Sequence, residues 1–76
     1  MTLQELGKQY LEQDLVLRRR IARLKRRSDS LSGEALREME ARIRGLYSMA
    51  RDCRQTGEYL MHYYDGEELY GKDSFV

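Results

Sequence analysis

The chain has 76 residues, of which 36% are charged, and its formal net charge is +1. This length allows one domain at most. The single cysteine, Cys53, excludes an intramolecular disulfide, and with it the class of small disulfide-stapled secreted proteins. No apolar run approaches the roughly 20 residues that span a bilayer, and the N-terminus lacks the basic start and apolar stretch of a signal peptide. We therefore expect a cytoplasmic protein that does not enter a membrane.

The first predicted helix begins near Thr2. This residue is a candidate N-cap, because its hydroxyl can accept a hydrogen bond from a backbone amide and Glu5 lies three residues on. A stripe of mostly apolar residues then recurs at alternating intervals of four and three, the period of a helix face that packs on a partner. Asp14 falls on this stripe, where it either fixes the register or lies at the edge and pairs with Arg18 or Arg54. The stripe consists of Leu3, Gly7, Tyr10, Asp14, Leu17, Ile21, Leu24, Ser28 and Leu31.

The second predicted helix carries the more regular stripe. Ser32 is its candidate N-cap, and the leucines at 31 and 36 are placed to pack together as a hydrophobic staple. The stripe that follows keeps its three–four spacing for about four heptads, which is typical of a coiled-coil seam. Gly66 predicts the end of the helix just before it, since glycine favours the conformation that follows a helix C-terminus. The stripe consists of Leu36, Met39, Ile43, Leu46, Ala50, Cys53, Gly57, Leu60 and Tyr64.

Two helices joined by a short connection pack antiparallel. The predicted fold class is therefore all-α, an antiparallel two-helix hairpin that resembles a coiled coil. The stripes favour a register in which facing residue numbers sum to about 67, so that Tyr10 faces Gly57 as a large residue against a small one. The next layer repeats this pairing with Leu60 and Gly7. The predicted organisation is a single domain over residues 1–76, with helices at about 2–28 and 33–64 and an acidic tail at 65–76.

A family resemblance supports the hairpin. It rests on residues 46–60, with the sequence LYSMARDCRQTGEYL, and on the Tyr-Tyr-Asp sequence at 63–65. In its apolar spacing, its Arg-Asp pair and this ending, the chain resembles short two-helix proteins of Gram-positive bacteria. The resemblance covers most of the chain and implies a helical hairpin. It supplies no activity and no functional residue.

Several apolar residues miss both stripes and lie mostly at the end of the hairpin away from the connection. An isolated hairpin would expose them as one broad patch, and patches of that kind mark interaction surfaces. The simplest cover is a second copy, because two-fold homodimers are the commonest oligomers and two hairpins make a four-helix bundle. The alternative is that the acidic tail folds back over part of the patch. The predicted interface residues are Leu6, Leu11, Leu15, Met49, Met61 and Tyr63.

Seven of the ten residues from 18 to 27 are basic, and we call this segment the basic run. An arginine-rich helix can lie against phosphates with salt-dependent affinity. The alternative is a solvated face, partly neutralised by acids of the second helix at 34, 38 and 40. The candidate nucleic-acid-binding residues are Arg18, Arg19, Arg20, Arg23, Lys25, Arg26 and Arg27.

Other chemistry finds little support in the sequence. One histidine and one cysteine cannot form a standard zinc site, and the glycines make no phosphate-binding loop. His62 lies among tyrosines, but a surface position is favoured over a catalytic one. We expect no enzyme activity, no cofactor, no metal, no small-molecule substrate and no membrane partner. The favoured function is a small helical protein-interaction module that homodimerises or docks to a protein partner. The alternative is a small nucleic-acid-binding accessory protein that uses the basic run.

Overall fold

The chain forms a hairpin of two long helices. The computed structural model describes residues 1–63. Its helices are α1 (Leu3–Ser28) and α2 (Gly33–Met61), and they pack against each other as the predicted all-α hairpin. The first helix begins one residue after the predicted start and ends at the predicted residue. The second ends short of residue 64, which lies outside the described residues together with the predicted tail at 65–76.

The two helices begin in different ways. At α1 the hydroxyl of Thr2 accepts a hydrogen bond from the backbone amide of Glu5 at 3.0 Å and lies 3.3 Å from the Glu5 carboxylate, so the predicted cap is present. At α2 the N-cap position is occupied by Ser32, as predicted, but its side chain makes no capping hydrogen bond. The turn into α2 depends instead on Gly33, whose φ of +61° is a left-handed conformation that glycine adopts without a Cβ clash.

The hydrophobic core lies in the half of the hairpin near the connection. Ile21, Leu24 and Ile43 are buried there, with Met39 and Leu46 packed against them. Each helix contributes to this cluster through its predicted stripe, because the three–four spacing keeps those side chains on the face that meets the other helix. Further from the connection the interface is built from smaller residues: Ala50 is fully buried, and so are two glycines.

At the far end the helix backbones touch through Gly7 and Gly57, a contact that we call the glycine crossing. A Cβ atom built on Gly7 would lie 2.9 Å from the carbonyl oxygen of Gly57 and 2.9 Å from the amide nitrogen of Met61. A Cβ atom on Gly57 would lie 2.9 Å from the carbonyl oxygen of Gly7 and 2.8 Å from Cδ2 of Leu11. Neither position has room for a side chain, so both glycines are required by the close approach of the helices.

The glycine crossing corrects the predicted layers at this end. The side chain nearest to Gly57 is Leu11 rather than Tyr10, which is 37% exposed. The residue that meets Gly7 is Met61 rather than Leu60. The reason is that both glycines keep their predicted places in the interface but have no side chain. The residues one turn further on, at 11 and 61, lie on nearly the same side of their helices and fill the space beside the crossing.

Candidate functional site

Helix geometry divides the predicted interface residues between two sides of the hairpin. Leu6 and Leu15 are nine residues apart on α1, which is about 180° around a helix that turns about 100° per residue. Leu11 and Leu15 share their side of α1 with Arg18, at spacings of four and three. Met61 lies seven residues after Arg54 on one side of α2. The structure therefore does not place the six predicted residues in one patch.

The first side carries ion pairs, and we call it the salt-bridge face. Asp14 is only 6% exposed, and its carboxylate accepts a hydrogen bond from Nε of Arg18 at 2.6 Å. On α2, Arg54 donates to Glu58 at 3.0 Å. The hydrogen bond to Glu58, its negative charge and the charge of Asp14 together raise the pKa of Arg54 above its ordinary value. Of the two predicted roles of Asp14, pairing with Arg18 is confirmed, although the carboxylate lies inside the interface rather than at its edge.

We expect Arg18→Ala to lower the free energy of unfolding by about 1–2 kcal/mol, because the buried carboxylate of Asp14 would lose its cationic partner. Urea denaturation followed by far-UV circular dichroism measures the change. Arg19→Ala is the matched control. Its Nε makes one 3.4 Å hydrogen bond to the carbonyl of Leu15 at an exposed position. Equal losses in the two variants would show that the pair with Asp14 does not stabilise the fold.

A side-chain contact between the two helices on the salt-bridge face joins Lys25 to Tyr47. Nζ of Lys25 donates to the tyrosine hydroxyl at 2.8 Å and lies 5.0 Å from the centre of its ring, within cation–π range. Two members of the basic run, Arg18 and Lys25, are thus engaged inside the hairpin.

The salt-bridge face offers little apolar surface for a partner. Leu11 and Met61 are half-buried, because they fill the space beside the glycine crossing. Leu15 is 55% exposed, but it lies one turn from the ion pair of Arg18. Of the three predicted interface residues on this side, Leu11 and Met61 therefore belong to the fold of the hairpin itself, and Leu15 stays exposed.

Over its half away from the connection, the opposite side of the hairpin has few charged residues within residues 1–63, and we call this half the uncharged face. Glu12 borders it, in a depression that it shares with Leu6, Tyr10 and Gln13. Its exposed apolar residues are Tyr10 and Met49, the latter 54% exposed. Tyr63 lies just beyond the end of α2, where its ring meets that of Tyr59 edge-on with 5.7 Å between ring centroids. The uncharged face consists of Leu6, Tyr10, Gln13 and Leu17 on α1 and Leu46, Met49, Cys53, Thr56 and Leu60 on α2.

On the same side, nearer the connection, four arginines surround a cleft of about 200 Å³, which we call the arginine cleft. Residues seven positions apart lie on nearly the same side of a packed helix. On α1 this series runs from Leu6 and Gln13 of the uncharged face to Arg20 and then to residue 27. On α2 it runs back from Met49 to residue 42. The cleft is lined by Arg20, Arg23, Leu24, Arg27 and Arg42.

The structure separates the basic run into engaged and unengaged residues. Arg18 and Lys25 have partners within the hairpin, and Arg19 donates to a backbone carbonyl. Within residues 1–63, no salt bridge links the run to the acids at 34, 38 and 40, although the alternative of a solvated face predicts that they partly neutralise it. Arg42 is the residue that sequence reasoning missed. The predicted register could have placed it near the basic run, because a sum of about 67 sets residue 42 level with residue 25.

Comparison with known proteins does not assign the chain to a family. No protein-family model matches the chain, and searches of curated proteins and of solved structures found no match either. Within the described residues, no three His, Cys, Asp or Glu side chains are arranged to hold a metal ion. Neither described helix has an apolar stretch long enough to cross a membrane.

Proposed function

We propose that the protein is a non-enzymatic interaction module that homodimerises through the uncharged face, so that two hairpins form a four-helix bundle. The observation that carries this proposal is the composition of that face. Both helices contribute uncharged residues to it and Glu12 lies at its border, whereas 36% of the whole chain is charged. Met49, toward the end of the face nearer the connection, leaves about half of its side chain in water in a single hairpin. An apolar surface of this kind is stabilised when a partner covers it.

The layout of charge favours a second copy as that partner. The uncharged face and the arginine cleft follow each other along one side of the hairpin. When two copies meet through their uncharged faces about a two-fold axis across the helices, the two clefts lie at opposite ends of the assembly. Repulsion between the arginines of the two copies is then small, because the charges are separated by more than a screening length. The contact is isologous, as two-fold dimers require.

We expect the pure protein to have the mass of a dimer in sedimentation velocity over a wide range of concentration, with little effect of salt. Met49→Glu is expected to weaken dimerisation at least about a hundredfold, because two-fold symmetry buries two unpaired carboxylates. Leu15→Glu is the matched control, since Leu15 is exposed to a similar extent on the opposite side of the hairpin. It should leave the dimer intact.

Two results would contradict the proposal. A monomeric wild-type protein at all concentrations would exclude the dimer. Dissociation by Leu15→Glu but not by Met49→Glu would place the contact on the salt-bridge face. Far-UV circular dichroism of both variants would show that each hairpin remains helical.

A further inference from the structure

The arginine cleft brings together cations from both helices. Arg20, Arg23 and Arg27 follow each other at spacings of three and four, so they lie along one side of α1 over about 10 Å. Arg42 joins them from α2, and the buried side chain of Leu24 lines the cleft between the helices. The cluster therefore depends on the packing of the hairpin and not only on the density of arginine in one segment.

Within the part of the chain that the structure describes, no acidic side chain forms an ion pair with the arginines of the cleft. Within residues 1–63, none of the four arginines takes part in a salt bridge or a side-chain hydrogen bond. Glu38 and Arg42 line an adjoining depression, but they form no ion pair. Four guanidinium groups around one cleft repel each other, and this repulsion is relieved when an anion enters.

We propose that the arginine cleft binds the phosphate backbone of duplex nucleic acid. Guanidinium groups bind phosphate oxygens through paired, charge-assisted hydrogen bonds. The arginines of the cleft follow α1 for about 10 Å and Arg26 widens the positive surface around the helix, which favours an extended polyanion over a single small phosphate. Among the described residues no aromatic side chain lines the cleft, so these residues offer no platform for the stacking that recognises single strands. Contacts of this kind hold the backbone without reading sequence. The inference does not depend on dimerisation.

The deciding residue is Arg42, because it belongs to the cleft but not to the basic run. Fluorescence anisotropy with a labelled random-sequence DNA duplex of about 20 base pairs measures affinity as a function of salt. Arg42→Gln is expected to weaken binding about tenfold at low salt and to reduce the slope of log K against log salt by about 1. Arg23→Gln should have the same effect.

Arg37→Gln is the matched control, since this exposed arginine lies on the same helix outside the cleft and loses the same charge. It should change the affinity by less than about twofold at low salt. If Arg42→Gln and Arg37→Gln lose the same affinity for the duplex, binding depends on net charge in general and the proposal of a cleft site is wrong. The proposal would also be overturned if the wild-type protein fails to bind the duplex at low salt. Binding of inorganic phosphate or of anionic lipid vesicles without binding of the duplex would likewise overturn it.

Discussion

Replacement of Gly7 by alanine is expected to lower the free energy of unfolding by about 2 kcal/mol. The added methyl group would lie 2.9 Å from two backbone atoms of α2, the oxygen of Gly57 and the nitrogen of Met61. Backbone atoms cannot rotate away as a side chain can, so the helices must move apart and lose contacts on both sides of the crossing. This loss exceeds the roughly 1 kcal/mol that alanine gains over glycine inside a helix. Urea denaturation followed by circular dichroism measures it.

The same substitution at Gly45 is the control. This glycine lies within α2, and a Cβ atom built on it meets nothing within 4 Å. Gly45→Ala should therefore raise the free energy of unfolding by about 0.5–1 kcal/mol through helix propensity alone. Gly57→Ala should fall between the two, because one of its close contacts is the flexible side chain of Leu11. If Gly7→Ala stabilises the protein as Gly45→Ala does, the glycine crossing is looser than described.

We expect Ile21→Ala to have a larger effect, a loss of about 3 kcal/mol in the free energy of unfolding. Ile21 is 2% exposed and is the largest fully buried side chain of the described residues. Its truncation would leave a cavity against Leu24 and Ile43, and a hairpin of this size has few other buried residues to offset the loss.

Val16→Ala is the control for this second prediction, because Val16 is half exposed on the same helix. Its expected effect is within about 0.5 kcal/mol of the wild type. The same denaturation experiment measures both variants. Similar losses at residues 16 and 21 would mean that the core does not lie where the structure places it.

The sequence is sufficient to predict the hairpin and the apolar stripe of each helix. Burial in a helical pair repeats every three and four residues, and this repeat is visible in the order of apolar residues. The cap at Thr2 is equally local and is confirmed. The glycine crossing is not local, because it depends on the distance between two backbones. Only the structure shows that Gly7 meets Gly57 and that residues 11 and 61, one turn further on, fill the space at their sides.

The candidate surfaces were harder to predict for a related reason. The apolar residues outside the two stripes form a single group when they are read from the sequence, but a helix distributes them around its axis. Leu6 and Leu15 therefore lie on opposite sides. The basic run is evident in the sequence, yet its composition does not reveal which cations are already engaged by Asp14 and Tyr47. Arg42 enters the arginine cleft only through the packing of α2 on α1.

The short connection at residues 29–32 has a consequence for how the chain folds. Leu24 and Ile43, beside the connection, are about 20 residues apart in sequence, whereas the two glycines of the crossing are about 50 residues apart. Because the entropic cost of closing a loop rises with its length, we expect the helices to pair from the connection outwards and the crossing to form last. Transient opening starts at the other end, so amide hydrogens near residues 7 and 57 exchange faster than those around the core.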